Sequence, residues 1–232
     1  MADKLTKKEL EQPDEFHTTG WRALQYVSEH RDKFYMGAAV VLLIIILAGA
    51  WYFYRLNYEN KAQGLYSSAY AVSSVPANKS EDGKRDAYLK AVQIYEELVK
   101  EYPGSNAATL SFYNMGNLYF NIDNTEQAIT AYKTFLKRSG GNDILVALAF
   151  HGLGYCYEEI KDYENALKSF EDSNKHVLGT QFEYINYANI GRIYEKMGRQ
   201  KEAVDFYRKA AGKIKDPLME LLVKRKIAAL AP

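Results

Sequence analysis

Three stretches of this chain repeat one arrangement of residues: FYNMGNLYF around Gly116, FHGLGYCYE around Gly154 and YANIGRIYE around Gly191. Three residues after each glycine stands Tyr119, Tyr157 or Tyr194. Twelve after it comes Ala128, Ala166 or Ala203, and four further on Tyr132, Phe170 or Tyr207. A large residue precedes each glycine by four positions (Phe112, Phe150, Tyr187) and another by one (Met115, Leu153, Ile190). The glycine-to-glycine periods are 38 and 37 residues. A period of this length constrains the fold strongly, because a unit so small cannot bury its own apolar face and has to stack on its neighbours. The residue types specify an antiparallel helix pair. Glycine on the first helix and alanine on the second let two backbones approach, and aromatic rings fill the space beside them.

The pattern resembles the tetratricopeptide repeat, W-x2-L-G-x2-Y followed by Ala and x3-F. It covers Thr109 to Ala211 in three clear units, which with the following turn span 109–215. A degenerate fourth unit is expected in 62–104, where Ala91, Tyr95, Leu98 and Pro103 match the second helix and Ala69 takes the small position of a first helix over Ala62–Ser74. The polar segment PANKSEDGK, 76–84, reads as a loop between its two helices. The departure from the family is its length. Against the usual 34 residues, three or four extra stand between units, in SGGND (139–143) and HVLGT (176–180). A solenoid needs a polar end. The segment 216–231, with Asp216 as N-cap and Pro217 as first helical residue, is expected to supply it as an amphipathic closing helix.

Ahead of the repeats lies FYMGAAVVLLIIILAGAWYFY, Phe34 to Tyr54. As a helix it is about 31 Å long against a hydrocarbon core of roughly 30 Å. Ten of its 21 residues are Leu, Ile, Val or Phe, each favouring insertion by about 0.3–0.6 kcal/mol near the centre. Tyr35 at one end and Trp51, Tyr52 and Tyr54 at the other suit the two interfaces, and Lys33 and Arg55 can reach outward. Ala48-Gly49-Ala50 has the small residues of a cleavage site, but more than thirty residues, many charged, precede the apolar run where a signal peptide has a short basic region. A buried core helix apolar on every side would need a larger protein around it. The chain therefore reads as a tail over 1–33, a membrane span over 34–54 and a repeat domain over 55–232.

Lysine and arginine near the span number three before it (Arg22, Arg31, Lys33) and two after it (Arg55, Lys61). This slight bias, and the smallness of the tail, orient the N-terminus to the cytoplasm and the repeats to the other side. Residues 1–15 are too polar to build a core. Phe16, Trp21, Leu24 and Val27 form either a short surface-lying helix capped by Thr18 or Thr19 or a loose tether. The seven acids of the tail are unlike an acid-poor mitochondrial targeting segment.

Charge excludes some functions. Residues 55–232 carry 24 Lys or Arg and 22 Asp or Glu, a balance of +2, so no general attraction to nucleic acid or anionic lipid is encoded. The single cysteine, Cys156, permits no intramolecular disulfide and reads as a small core residue. His17, His30, His151 and His176 are scattered without metal-ligand spacing. GLGYCY at 152–157 sits in a helix with no strand before it, unlike a phosphate loop. Hence no catalytic residue, metal, cofactor or small-molecule substrate is expected. The twenty tyrosines instead favour recognition surfaces.

By the family's repeat positions, the concave groove presents Tyr113, Asn117, Phe120 and Asn121 from one unit, His151, Tyr155, Glu158 and Glu159 from the next, and Arg192, Glu195 and Lys196 from the third. Relatives that clamp a carboxylate use Lys, Asn and Arg at positions that here read Tyr113, Asn117, Gly152, Ile185 and Asn189. Only Asn117 fits, which disfavours that ligand. The layout of tail, span, repeats and closing helix resembles the YfgM-like family of bacterial envelope proteins. That resemblance implies a periplasmic repeat domain on a single-pass inner-membrane anchor. It further implies an ancillary chaperone-type role beside the Sec translocon, with exported polypeptides, translocon subunits and a membrane-anchored prolyl isomerase as partners. A scaffold for another envelope assembly is the alternative. An enzyme or small-molecule receptor would need convergent polar groups in a closed pocket.

Overall fold

The computed structural model describes residues 21–22, 25–76, 78–140, 144–176 and 182–230. The tail 1–15, the positions Phe16, His17, Thr18, Thr19 and Leu24, and most of the two inter-unit insertions lie outside them. The described residues hold helices and no strand. In chain order the helices are α1 Arg31–Ser73, α2 Glu81–Glu101, α3 Asn106–Asn121, α4 Thr125–Arg138, α5 Ile144–Glu159, α6 Tyr163–His176, α7 Phe182–Lys196, α8 Gln200–Ala211 and α9 Pro217–Leu230. The chain divides into two compact units, Met1–Leu56 and Asn57–Pro232.

In the first unit, the apolar run forms part of the single 43-residue helix α1. None of its most apolar stretch is buried within the protein. Val40, Leu43 and Ile46 are each more than half exposed. The helix is long and apolar enough to cross a membrane.

The second unit is an antiparallel helix-pair solenoid. The segment of α1 from residue 57 onward supplies the first helix of the degenerate pair. Ala62 and Ala69 are fully buried, one against Leu98, Ala107 and Ala108, the other against Ala91, Tyr95 and Met115. The apolar run and this first repeat helix, separate elements by their sequence patterns, both lie within the one helix Arg31–Ser73. The following loop is also shorter than read. Ser80 accepts from Gly83 N at 3.2 Å and starts α2 at Glu81, so the second half of 76–84 is helical. Ser followed by Glu81 and Asp82 is a good N-terminal signal that the polar composition obscured.

The three clear pairs are α3–α4, α5–α6 and α7–α8. Their alanines Ala128, Ala166 and Ala203 are fully buried. A Cβ added at Gly116 would lie 2.6 Å from the ring of Tyr132, and one at Gly154 2.5 Å from Phe170. The glycine is required because the ring occupies the volume a side chain would need. Within each pair the turn is the same. Asn124 N donates to Tyr119 O, Asp162 N to Tyr157 O and Arg199 N to Tyr194 O, at 2.8–2.9 Å. The residues before them, Asp123, Lys161 and Gly198, have φ of 61–72°. This is a Schellman closure repeated three times.

Helix α9 starts under Asp216, whose Oδ1 accepts from Leu218 N at 2.8 Å and Met219 N at 3.1 Å. Its outer face departs from the expected polar cap. Val223, Ile227 and Leu230 are the half-buried stripe, while Leu218, Leu221 and Leu222 are 66%, 47% and 48% exposed. A helix this rich in leucine has too many apolar residues for one inward stripe.

Candidate functional site

The first helices α3, α5 and α7 bring most of the sequence-derived groove residues onto one connected face. Tyr113 packs its ring against Tyr132 and Phe135 at 6.2 and 5.6 Å. Asn117 accepts from Tyr132 Oη at 2.7 Å, and Asn121, at the exposed edge, donates back to Asn117 O at 2.9 Å. Phe120 lies 6.5 Å from the Tyr155 ring, which also stands edge-on to His151 at 4.7 Å and Phe170 at 5.4 Å. These rings form an aromatic floor passing from one unit to the next.

The charged members of the site satisfy one another. Glu158 takes a bidentate contact from Arg192, Nε to Oε1 at 2.9 Å and Nη2 to Oε2 at 2.6 Å, and Lys196 Nζ lies 2.9 Å from Oε1. The Glu158 side chain is only 9% exposed. Burial pushes its carboxyl up, and the two cations together outweigh that, so it is held below the ordinary carboxylate value. Arg192 also lies over the Tyr155 ring, 5.5 Å from its centroid. Glu195 accepts from Tyr207 Oη at 2.8 Å and from Lys226 of α9 at 2.9 Å, which ties the third unit to the closing helix. Glu159 is exposed and stands apart from this cluster.

Behind the face lies a buried amide network. His151 Nδ1 is 2.7 Å from Asn186 Oδ1, and the Asn186 amide nitrogen is 2.9 Å from both Ser173 Oγ and Asn174 Oδ1. Asn189 donates to Tyr155 Oη at 3.2 Å. Asn114 donates to the hydroxyls of Tyr66 and Tyr95 at 2.8 and 3.0 Å. Where Asn114 and Asn189 stand in their units, the middle unit has Gly152, and a Cβ there would lie 2.5 Å from Tyr132 Cζ. Cys156 is fully buried with its thiol pushed up to about 12 by burial, so it is an inert core residue. Among the described residues no group of His, Cys, Asp and Glu is placed to hold a metal.

A separate cleft of about 280 Å³ opens between α2, α3 and α4, lined by Val99, Phe112, Met115 and Ala131 with Glu96 and Tyr119 at its polar side. Tyr119 Oη donates to Glu96 Oε1 at 2.8 Å. The cleft is walled by the second helices α2 and α4 together with Phe112, Met115 and Tyr119 of the first helix α3, and none of the groove residues described above lines it.

Residues 26–232 match the Tetratricopeptide repeat-like domain. The chain belongs to the tetratricopeptide repeat-like domain family. As such it is a repeat protein of the class that mediates protein–protein interactions and binds protein or peptide partners. Among solved structures, this tetratricopeptide repeat-like chain is similar in fold to MamA, at 20% identity and TM-score 0.53 over 67% of this chain and 84% of that one. It is similar also to Pseudomonas aeruginosa pilF, at 14% identity and TM-score 0.55 over 75% and 69%. The nearly identical kinesin light chain TPR-like repeats of Podosopora anserina give 12% identity and TM-score 0.57 over 74% and 86%. Among curated sequences it is 25% identical over 187 residues to response regulator aspartate phosphatase I of Bacillus subtilis (strain 168), covering 64% of this chain and 48% of the relative. Phosphatase E of the same organism gives 25% over 190 residues, 68% and 49%. The chain spans about half the length of the curated relatives it matches.

In this tetratricopeptide repeat-like domain the repeat positions put the candidate groove residues on the first helices, and they carry no sign of how the polar groups there are spent. Asn186, Asn174 and Ser173 gave no signal because an amide inside an amphipathic helix looks like surface. The pairing of Glu158 with Arg192 and Lys196 joins residues 34 and 38 positions apart, close to the repeat period, which is the signal that could have found it.

Proposed function

We propose that this protein is a tethered polypeptide-binding factor of a bacterial envelope. Helix α1 crosses the inner membrane with the N-terminus in the cytoplasm, and the repeat domain stands in the periplasm. In this reading it works as an ancillary chaperone-type factor for exported chains beside the Sec translocon, with a membrane-anchored prolyl isomerase as a further partner. The observation that carries the reading is the composition of the first-helix face. Its rings, Phe120, Tyr155 and the edge of His151, offer apolar contact, while its carboxylate and cations at Glu158, Arg192 and Lys196 are already paired. Such a surface accepts unfolded chains without selecting a charge pattern, which suits many clients of low affinity. The unburied apolar stretch of α1 supports the tether. Tethering keeps the face near one membrane surface and raises its local concentration there.

Photocrosslinking from a probe at Asn121, on the exposed edge of the face, tests the reading in living cells. Adducts with translocon subunits or nascent exported chains are expected. Recovery of one unrelated assembly component in their place would favour the scaffold reading. Protease added to spheroplasts should digest the repeats, and a protected domain would reverse the orientation.

A further inference from the structure

The hydrogen bonds behind the first-helix face determine where the proton of His151 sits. The carbonyl of Ala147 can only accept, so the Ser173 hydroxyl, 2.8 Å away, donates to it. That spends the one hydrogen of the hydroxyl. Asn186, whose amide nitrogen lies 2.9 Å from Ser173 Oγ, must then be the donor in that contact, and its second hydrogen goes to Asn174 Oδ1 at 2.9 Å. The Asn186 carboxamide is thereby oriented, with Oδ1 facing His151 Nδ1 at 2.7 Å. An amide oxygen has no hydrogen to give, so the hydrogen between them belongs to Nδ1. Asn186 and Ser173 are 1% and 2% exposed, which keeps water from competing for these bonds. In a neutral imidazole with Nδ1 protonated, Nε2 carries a bare lone pair.

The neutral ring is the favoured form. Burial holds His151 below the ordinary histidine value; the Asn186 bond works against this and the Arg192 cation works with it. The ring is half-buried between Tyr155 and Phe170, both edge-on. Among the described residues the ring hydrogen-bonds through Nδ1 and not through Nε2, and the side chain is not fully buried.

We propose that His151 is locked as the Nδ1–H tautomer and presents Nε2 as a fixed acceptor for a main-chain N–H of a bound polypeptide. The proposal rests on the polypeptide-binding reading above and names the group that this site recognises. Arg192 disfavours a cationic donor beside the ring, whereas every residue except proline carries a neutral main-chain N–H. An acceptor held in place by a buried network has its orientation set before binding, so little entropy is lost on contact. It reads the backbone and no side chain, in keeping with a face whose charges are paired.

The test uses the full chain in detergent micelles with 15N-labelled histidine, the His151 signals being assigned with a His151→Gln control. Long-range proton–nitrogen spectra at neutral pH should show Nδ1 protonated and Nε2 bare. Titration with reduced, carboxymethylated α-lactalbumin, a permanently unfolded polypeptide, should move the Nε2 resonance. An Nε2–H tautomer, or rapid averaging of the two forms, overturns the lock. Polypeptide binding with Nε2 unmoved overturns the acceptor role and leaves the polypeptide-binding reading standing, whereas absence of binding overturns both. Asn186→Leu should release the tautomer and weaken polypeptide binding roughly threefold to tenfold, the worth of one hydrogen bond. Unchanged affinity in a folded variant contradicts the proposal, and the wild-type spectra decide it if the variant does not fold.

Discussion

At the scale of single residues, what shapes the molecule is how little room its rings leave. Gly154 faces Phe170, which is fully buried, at a distance no Cβ can occupy, while the corresponding approach at Gly191 to Tyr207 is 3.0 Å. Gly154→Ala should therefore destabilise the domain by about 1–3 kcal/mol, and Gly191→Ala by less, measured by urea unfolding of the full chain in one detergent. Equal losses would mean that Phe170 moves aside freely. Glu158 gives a prediction in pH. Its folded carboxyl titrates below the ordinary value of 4.5, so the stabilisation is fully present above that value and is lost as pH falls below it through the folded value. Glu158→Gln should cost about 1–2 kcal/mol at neutral pH, the pair being partly open to water. The gap between variant and wild type should then narrow on acidification below 4.5. A gap independent of pH would assign the loss to packing.

At the scale of elements, the repeat was legible because glycine, alanine and ring recur at fixed spacing, and spacing is what helix packing reads. The turns were less so. Gly198 marks its own left-handed position, but Asp123 and Lys161 adopt the same φ under pressure of the closure and carry no such mark. Lys161→Gly should therefore stabilise the domain by about 0.5–1 kcal/mol, visible as a higher Tm. Asp123→Gly should give less, because aspartate tolerates that region better. A fall in Tm for Lys161→Gly would show that its backbone strain is negligible. The ends of the solenoid misled for related reasons. The polar neighbours of Ser80 spell a loop and mask its capping role, and the Asp216–Pro217 start of α9 spells a polar closing cap although three of its leucines face outward. The grouping of the candidate residues on the first helices was legible and their network was not, since amides and charges on different helices meet only after the units stack.

At the scale of the whole molecule, the repeat unit offers three surfaces with distinct chemistry. The first-helix face combines an aromatic floor with self-paired charges and an oriented His151. The cleft between α2, α3 and α4 is small and shares Met115 and Ala131 with the core. The outer side of α9 exposes leucines at the end of the stack. An unfolded chain needs a long, sequence-tolerant surface, and of these three surfaces the first-helix face is the one that continues across all three clear units. Hydrogen exchange of the full chain in micelles, with and without reduced, carboxymethylated α-lactalbumin, separates these surfaces directly. Slowed exchange is expected in α3, α5 and α7, with α4, α6 and α8 little changed. Protection confined to α9, or to the helices around the cleft, would contradict the assignment of polypeptide binding to the first-helix face.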